Sequence, residues 1–441
     1  MKKLEKKWQI YLYGCTGLGI NMLNLIVGYY LCSALVVGGF ETHAEEWTYL
    51  NNDVVVAGIW SVCILLAKIL DGVIDLPASS MLNKIRSRWG RRRPAMLIGF
   101  VPMILAYVMF LIPINSEASI ANTLWFAAML FIYYISYTFT MLAFYATFSE
   151  IVEKEEDRII ISNIKSVCDV VYFVLGYALI PAFVSMGMNI RTIAVMFIPL
   201  SLTILIPMFL IKEESTKGMT FEVNGKKYNF IDMFLISAKN KGFILWMTVY
   251  AVMNVGLQLF LSGINEFFST TGLNMTFIMA AVFVPVPLTL IIYHRMTRKK
   301  GIVFALQTCL VVFSVGMALM IFCDKMPSHT AKFIYAICCA LITSFSIGSF
   351  FSVTYSIPSQ LAQEEEQKSG MPVATMYFAI QGLFGAVAAG LAQGPILVTL
   401  KQNGWVKHLT LVVALACMLA FVIAIFLPKH VKQQGKQNGE Y

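Results

Sequence analysis

Charge is what this 441-residue chain has least of. Asp, Glu, Lys and Arg make up 13% of it, about half the share of an average soluble domain. A water-facing exterior for so long a chain needs more than that. A mean hydropathy of +0.73 points to an exterior facing lipid instead. Cysteine offers no framework either. Of the nine, Cys15, Cys32, Cys63, Cys168 and Cys417 lie inside apolar runs and Cys338 and Cys339 are neighbours. That pattern shows neither disulfide pairing nor zinc-ligand spacing. The five histidines, His43, His294, His329, His408 and His430, are scattered at segment ends or in loops. No cofactor is expected. No convergent nucleophile, base or metal site is visible, so an enzyme is not expected. A channel is disfavoured too, because a single chain supplies no ring of symmetry-related groups.

What is present is apolar length: 58% of the residues are hydrophobic. A helix needs about 20 mostly apolar residues to cross the hydrocarbon core. Twelve such stretches are expected, the first six centred near Leu23, Cys63, Leu105, Tyr134, Phe173 and Leu202. The second six centre near Val252, Val284, Val312, Phe345, Phe384 and Leu415. The longest polar interval, about Lys212 to Lys241, separates the two sets. The expected organisation is an N-terminal six-helix half over 1–212, a cytoplasmic central loop over 213–239, a C-terminal half over 240–427 and a cytoplasmic tail over 428–441. Met1 to Lys7 is expected to be a retained tail, since no cleavage site follows it.

The net charge of +9 would fit a nucleic-acid partner, but its distribution argues otherwise. With both termini cytoplasmic, about 26 basic residues fall on the inner side and about five on the outer, namely Arg191, Lys325, Lys332, Lys401 and Lys407. That asymmetry is a topology signal, and no nucleic-acid role is expected. The turn after the second helix, Arg86 to Pro94, and the one after the eighth, Arg295 to Gly301, occupy equivalent places. Parallel six-helix repeats leave such pairs behind, although any cytoplasmic turn tends to be basic.

The most informative residues are ionisable groups inside an expected span. Lys68, Asp71 and Asp75 are spaced i, i+3, i+7 and share one helix stripe. Each costs roughly 2.5–3.5 kcal/mol at the bilayer centre even on the lenient insertion scale. The stripe is therefore expected to face a cavity or another helix. Two carboxylates one turn apart repel, and a small cation or a proton between them relieves the repulsion. Lys68 is able to hold a carboxylate when the cation is absent; a purely structural Lys–Asp lock is the competing reading. Other polar groups in spans are Asn21 and Asn24, Thr138 and Thr140, Lys165 and Asp169, Asn254 and Gln258, Glu266, and Gln381. Each is a solute-binding candidate or ordinary interhelix glue.

Three patches resemble the glycoside–pentoside–hexuronide:cation symporters, the melibiose-permease-like branch of the major facilitator superfamily. They are Lys68-x-x-Asp71-x-x-x-Asp75-x-Pro77 with Ser87 to Pro94, then Ser149 to Arg158, then the weaker Pro358 through Gly370. The resemblance covers nearly the whole chain. It implies an all-α membrane protein of twelve transmembrane helices in two six-helix pseudo-repeats, the major facilitator fold. By it, Asp71 and Asp75 are the cation-binding carboxylates, with sodium as a candidate metal. Lys68 replaces the usual basic residue, and Thr138 matches a hydroxyl that helps bind sodium. The departures fall on the sugar site. Asn21 and Met141 stand where sugar-binding members place Asp, and Tyr145 stands near a stacking Trp. Gln381 replaces the eleventh-helix Lys, and Ile74 replaces a polar residue before the second cation Asp. Asn24 and Gln258 complete the expected substrate-binding set.

The function expected is a cation-coupled secondary symporter, sodium or proton, of a small organic solute such as a sugar or glycoside. It is expected to be monomeric in a plasma (inner) membrane. The alternatives are an uncoupled uniporter or exporter, or a carrier of a lysolipid-like amphiphile.

Overall fold

The computed structural model describes residues 6–36, 53–90, 92–146, 164, 168, 171–210, 213, 215, 230–273, 275–369 and 374–432. The side chains of a few helix residues, Asp75 and Tyr145 among them, fall outside this set, as do Lys165, Asp169 and the stretch Ser149 to Arg158. Among the described residues there is no strand; backbone polar groups are satisfied within helices, as hydrocarbon demands. Among the described residues, eleven helices are long and apolar enough to cross a membrane: α1 (Lys7–Ala34), α2 (Ala57–Lys84), α3 (Arg92–Phe110), α4 (Ile120–Ala146), α6 (Ile190–Leu210), α7 (Lys241–Thr271), α8 (Met275–Lys300), α9 (Ile302–Lys325), α10 (His329–Ser369), α11 (Met376–Gln402) and α12 (Val406–Ala424). At the fifth expected position a shorter apolar helix, α5 (Val171–Val184), is described. A connecting helix, Phe230–Lys239, lies within the interval expected as loop.

The chain divides into two compact units, Met1–Gly38 with Thr42–Glu222, and Gly39–Glu41 with Val223–Tyr441. In the first, α4 packs on α2 and α3; in the second, α7 packs on α11 and α12, and α9 on α10 and α12. The first unit depends on one very close crossing. A Cβ at Gly19 of α1 would strike the Leu200 carbonyl oxygen of α6, so only glycine fits there.

The polar ends of the helices are tied down by side chains. Glu213, just beyond α6, accepts from the Arg92 N–H at 2.9 Å and the Arg93 N–H at 3.2 Å. Its carboxylate thus meets the positive end of α3. Gly90 makes room: its φ is +87°, and a Cβ there would strike the Glu213 side chain. In the second unit Asn240 caps α7 by accepting from the Phe243 N–H at 3.1 Å. Its amide also donates to Glu365 of α10 and Tyr377 of α11, both at 3.0 Å.

The turn expected after the eighth helix proves largely helical. Arg295, Arg298, Lys299 and Lys300 form the end of α8, where basic residues suit the negative end of the dipole. The chain turns only at Gly301, φ +93°. Pro358 and the Glu364 to Lys368 run belong to α10, which continues to Ser369.

Candidate functional site

The first unit gathers the charged stripe of α2 against α4 and α1. Thr138 of α4 donates to the Asp71 Oδ1 at 3.3 Å, and its residue is buried. That distance is long for an O–H···O bond, so the two oxygens lie adjacent without being tightly closed on each other. Lys68 is buried as well, but no ion pair within 4.0 Å joins it to Asp71. Its ammonium instead lies 4.1 Å from the centre of the Tyr134 ring. A desolvated cation–π contact of this kind is worth about 2 kcal/mol. Asp75 belongs to the same helix, with its side chain outside the described residues.

Tyrosines surround this stripe. Tyr137 donates to the Asn21 Oδ1 at 3.2 Å and stacks on Tyr133 with ring centres 6.3 Å apart. Tyr133 in turn meets Tyr134 edge-on at 5.7 Å. The Tyr133 hydroxyl and the Asn24 carbonyl oxygen are buried with no hydrogen-bond partner. Orphaned buried polar atoms are uncommon and call for an explanation. Across the same unit, the π-helical turn of α1, Val27–Leu31, faces another in α5, Leu175–Leu179. Such a turn frees a carbonyl, and Tyr30 donates to that of Gly176 at 2.6 Å.

Met141 is buried where α4 meets α1; a Cβ at Gly17 would lie 3.9 Å from its Cε. Tyr145 belongs to α4, its side chain outside the described residues. The other two substrate-binding candidates lie in the second unit. Gln381 accepts from the Trp246 indole N–H at 2.9 Å and donates to the Thr354 carbonyl at 2.7 Å. Both ends of its amide are engaged, which fits it as a strut between α7, α10 and α11. Gln258 accepts from Gln393 at 3.5 Å. The structure therefore brings together Lys68, Asp71, Thr138, Asn21 and Asn24 within one unit, and places Gln258 and Gln381 in the other.

The second unit holds a charged pair that the sequence reading did not assemble. Lys401, at the end of α11, lies 2.9 Å from Glu266 of α7, with side-chain exposures of 2% and 6%. Beside it on α7, both ends of the buried Asn265 amide lack a hydrogen-bond partner. α11 reaches this point through a π-helical turn at Ala392–Ile396 that contains Pro395. Lys401 reads as an outer-side lysine in sequence, with Gln402, Asn403 and Gly404 following it. The tyrosines had a signal: Tyr134 precedes Thr138 by one helical turn on the same face, and Tyr133 and Tyr137 are likewise one turn apart on another.

The family model for MFS/sugar transport proteins matches residues 12–427. The chain belongs to this family, the melibiose-permease-like one. No curated protein matches it significantly. Among solved structures, this transporter resembles a D-xylose–proton symporter with a TM-score of 0.66, at 15% identity over 98% of this chain and 99% of that one. It also resembles the nucleoside transporter NupG at 0.63, with 13% identity over 96% and 98%. A bacterial homologue of the iron transporter ferroportin scores 0.65, with 12% identity over 95% and 97%. At such identities the likeness is one of fold: the transporter is a multi-span membrane protein of the major facilitator type.

Proposed function

We propose that this transporter is a cation-coupled symporter of a small organic solute, a sugar or glycoside, working by alternating access. The observation that carries the reading is the Asp71 carboxylate inside a span. The lysine on its own helix is held by an aromatic ring, and its hydroxyl neighbour Thr138 sits at 3.3 Å. A carboxylate left in that state is available to a proton or to sodium, which favours hard oxygen ligands. Asp75, one turn along, is the second proposed ligand. Cation occupancy would favour the solute-binding state, and linkage makes the effect reciprocal.

The solute side of the proposal rests on the tyrosines. Tyr137, half-buried and stacked on Tyr133, offers a ring face to a ring-shaped solute. The unpartnered Tyr133 hydroxyl and Asn24 oxygen offer a hydrogen-bond donor and an acceptor to its hydroxyls. Met141 offers almost none, so binding through a pair of carboxylates is not proposed. Twelve spans, cytoplasmic termini, a plasma (inner) membrane and a monomeric state complete the reading.

The test is uptake of a panel of radiolabelled sugars and glycosides into proteoliposomes under imposed sodium, lithium or proton gradients. Accumulation driven by one gradient, and lost in Asp71→Asn with equilibrium binding of solute retained, is expected. Downhill equilibration indifferent to every gradient would make the protein a uniporter and end the coupling claim.

A further inference from the structure

The ends of α9 and α12 enclose an open groove of about 370 Å³, wholly within the second unit. Val303 and Phe304, in the first turn of α9, form one wall, and Phe421 of α12 with Ile425 just beyond its end form the other. Lys300 and Lys432 line it at the end where the chain is basic. The Lys300 ammonium lies 4.5 Å from the Phe304 ring centre. Lys432 reaches back to donate to the Ile425 carbonyl at 2.7 Å. An ammonium carries three donors, so both lysines retain capacity for an anion.

The groove is open on an apolar flank. Phe304, Ile425 and Phe426 are 41%, 45% and 71% exposed, and α12 continues that stripe through Leu415, Leu419 and Val422. In a membrane-spanning chain such a stripe meets acyl chains. We infer that this groove is a binding site for an anionic phospholipid, its phosphate between Lys300 and Lys432 and an acyl chain along Phe421 and Ile425. Charge and shape argue for this occupant together. Two lysines above a purely polar surface would suit a free anion, but here an apolar trough runs from them at least one turn toward the middle of the span. A zwitterionic lipid would fit the trough, yet its own cation would face two ammoniums. Anionic headgroups are favoured by about 1 kcal/mol per lysine near the surface, roughly fivefold each.

The experiment is native mass spectrometry of the full-length protein titrated with phosphatidylglycerol or with phosphatidylcholine of the same acyl chains. One phosphatidylglycerol is expected to bind well above the others, with phosphatidylcholine markedly weaker. Lys300→Gln with Lys432→Gln is expected to weaken it by about 30-fold, as two such lysines imply. Gln307 also lines the groove, and Gln307→Trp, which fills it with both lysines intact, should weaken binding at least comparably. Arg86→Gln with Arg88→Gln, a control in another exposed basic segment, should change nothing. Equal loss in that control would mean diffuse surface charge and overturn the site. So would phosphatidylcholine binding as tightly, or displacement by equimolar inorganic phosphate, which would mark a free-anion site.

Discussion

In the first unit the Lys68 ammonium rests on the Tyr134 ring and leaves Asp71 to a long hydrogen bond from Thr138, whereas in the second Lys401 closes directly on Glu266. Both lysines are buried, and both have a carboxylate on the same or a neighbouring helix. A directly paired buried charge costs much to break, because removing one partner strands the other, which suits a permanent fixture. A carboxylate kept from its lysine can change partners, which suits a group that must bind and release a cation. The contrast teaches that burial of charge does not itself mark a working site; how the charge is satisfied does.

The comparison breaks most completely if the open site can be closed without consequence. Asp75→Asn is expected to abolish gradient-driven accumulation, read as a solute ratio that stays at equilibrium; full retention would make the α2 stripe structural. Next comes the closed pair. Lys401→Met alone should cost about 3–5 kcal/mol by stranding Glu266, measured by thermal or denaturant unfolding in detergent. Adding Glu266→Gln should restore most of it. If neither change moves the unfolding midpoint while transport collapses, the second pair is also a working site. A smaller effect is expected for Tyr134→Leu. Removing the ring forfeits about 2 kcal/mol of cation–π stabilisation and frees Lys68 to pair with Asp71. The apparent KM for the coupling cation should then rise more than tenfold. Thr138→Val should raise the same KM by about tenfold, the cost of one lost ligand oxygen or about 1.4 kcal/mol. An unchanged cation KM in both would detach Thr138 and Tyr134 from the cation site.

Most of the helix layout was legible because a span announces itself by length and apolarity alone. α5 is the exception: only Val171–Val184 is described as an apolar helix around Phe173. The Asp71–Thr138 proximity was legible through resemblance. The Tyr134 clamp on Lys68 was not, since aromatic residues in a span read as packing. Lys401 was illegible for the opposite reason. Its neighbours Gln402, Asn403 and Gly404 signal a loop, and its burial depends on Glu266, 135 residues away. Gln381 carried the expectation of solute contact, yet Trp246 and Thr354 take both ends of its amide. The helical end of α8 was not legible because a basic run past a span looks like a solvated turn. Nothing in single-residue preference foretells the π-helical turns among the described residues; at Gly176 a foreign donor meets the ladder, and at Pro395 a proline does.

Asn240 carries a consequence for the order in which the chain is made. Its capping amide bonds Glu365 and Tyr377, which follow it by 125 and 137 residues. At about 5–20 residues per second of synthesis, roughly 7–27 s pass between the emergence of α7 and that of its last tether. For that interval the Asn240 amide N–H groups are without Glu365 and Tyr377, so the start of α7 keeps its cap and its packing on the Phe230–Lys239 helix while it waits for α10 and α11 to arrive.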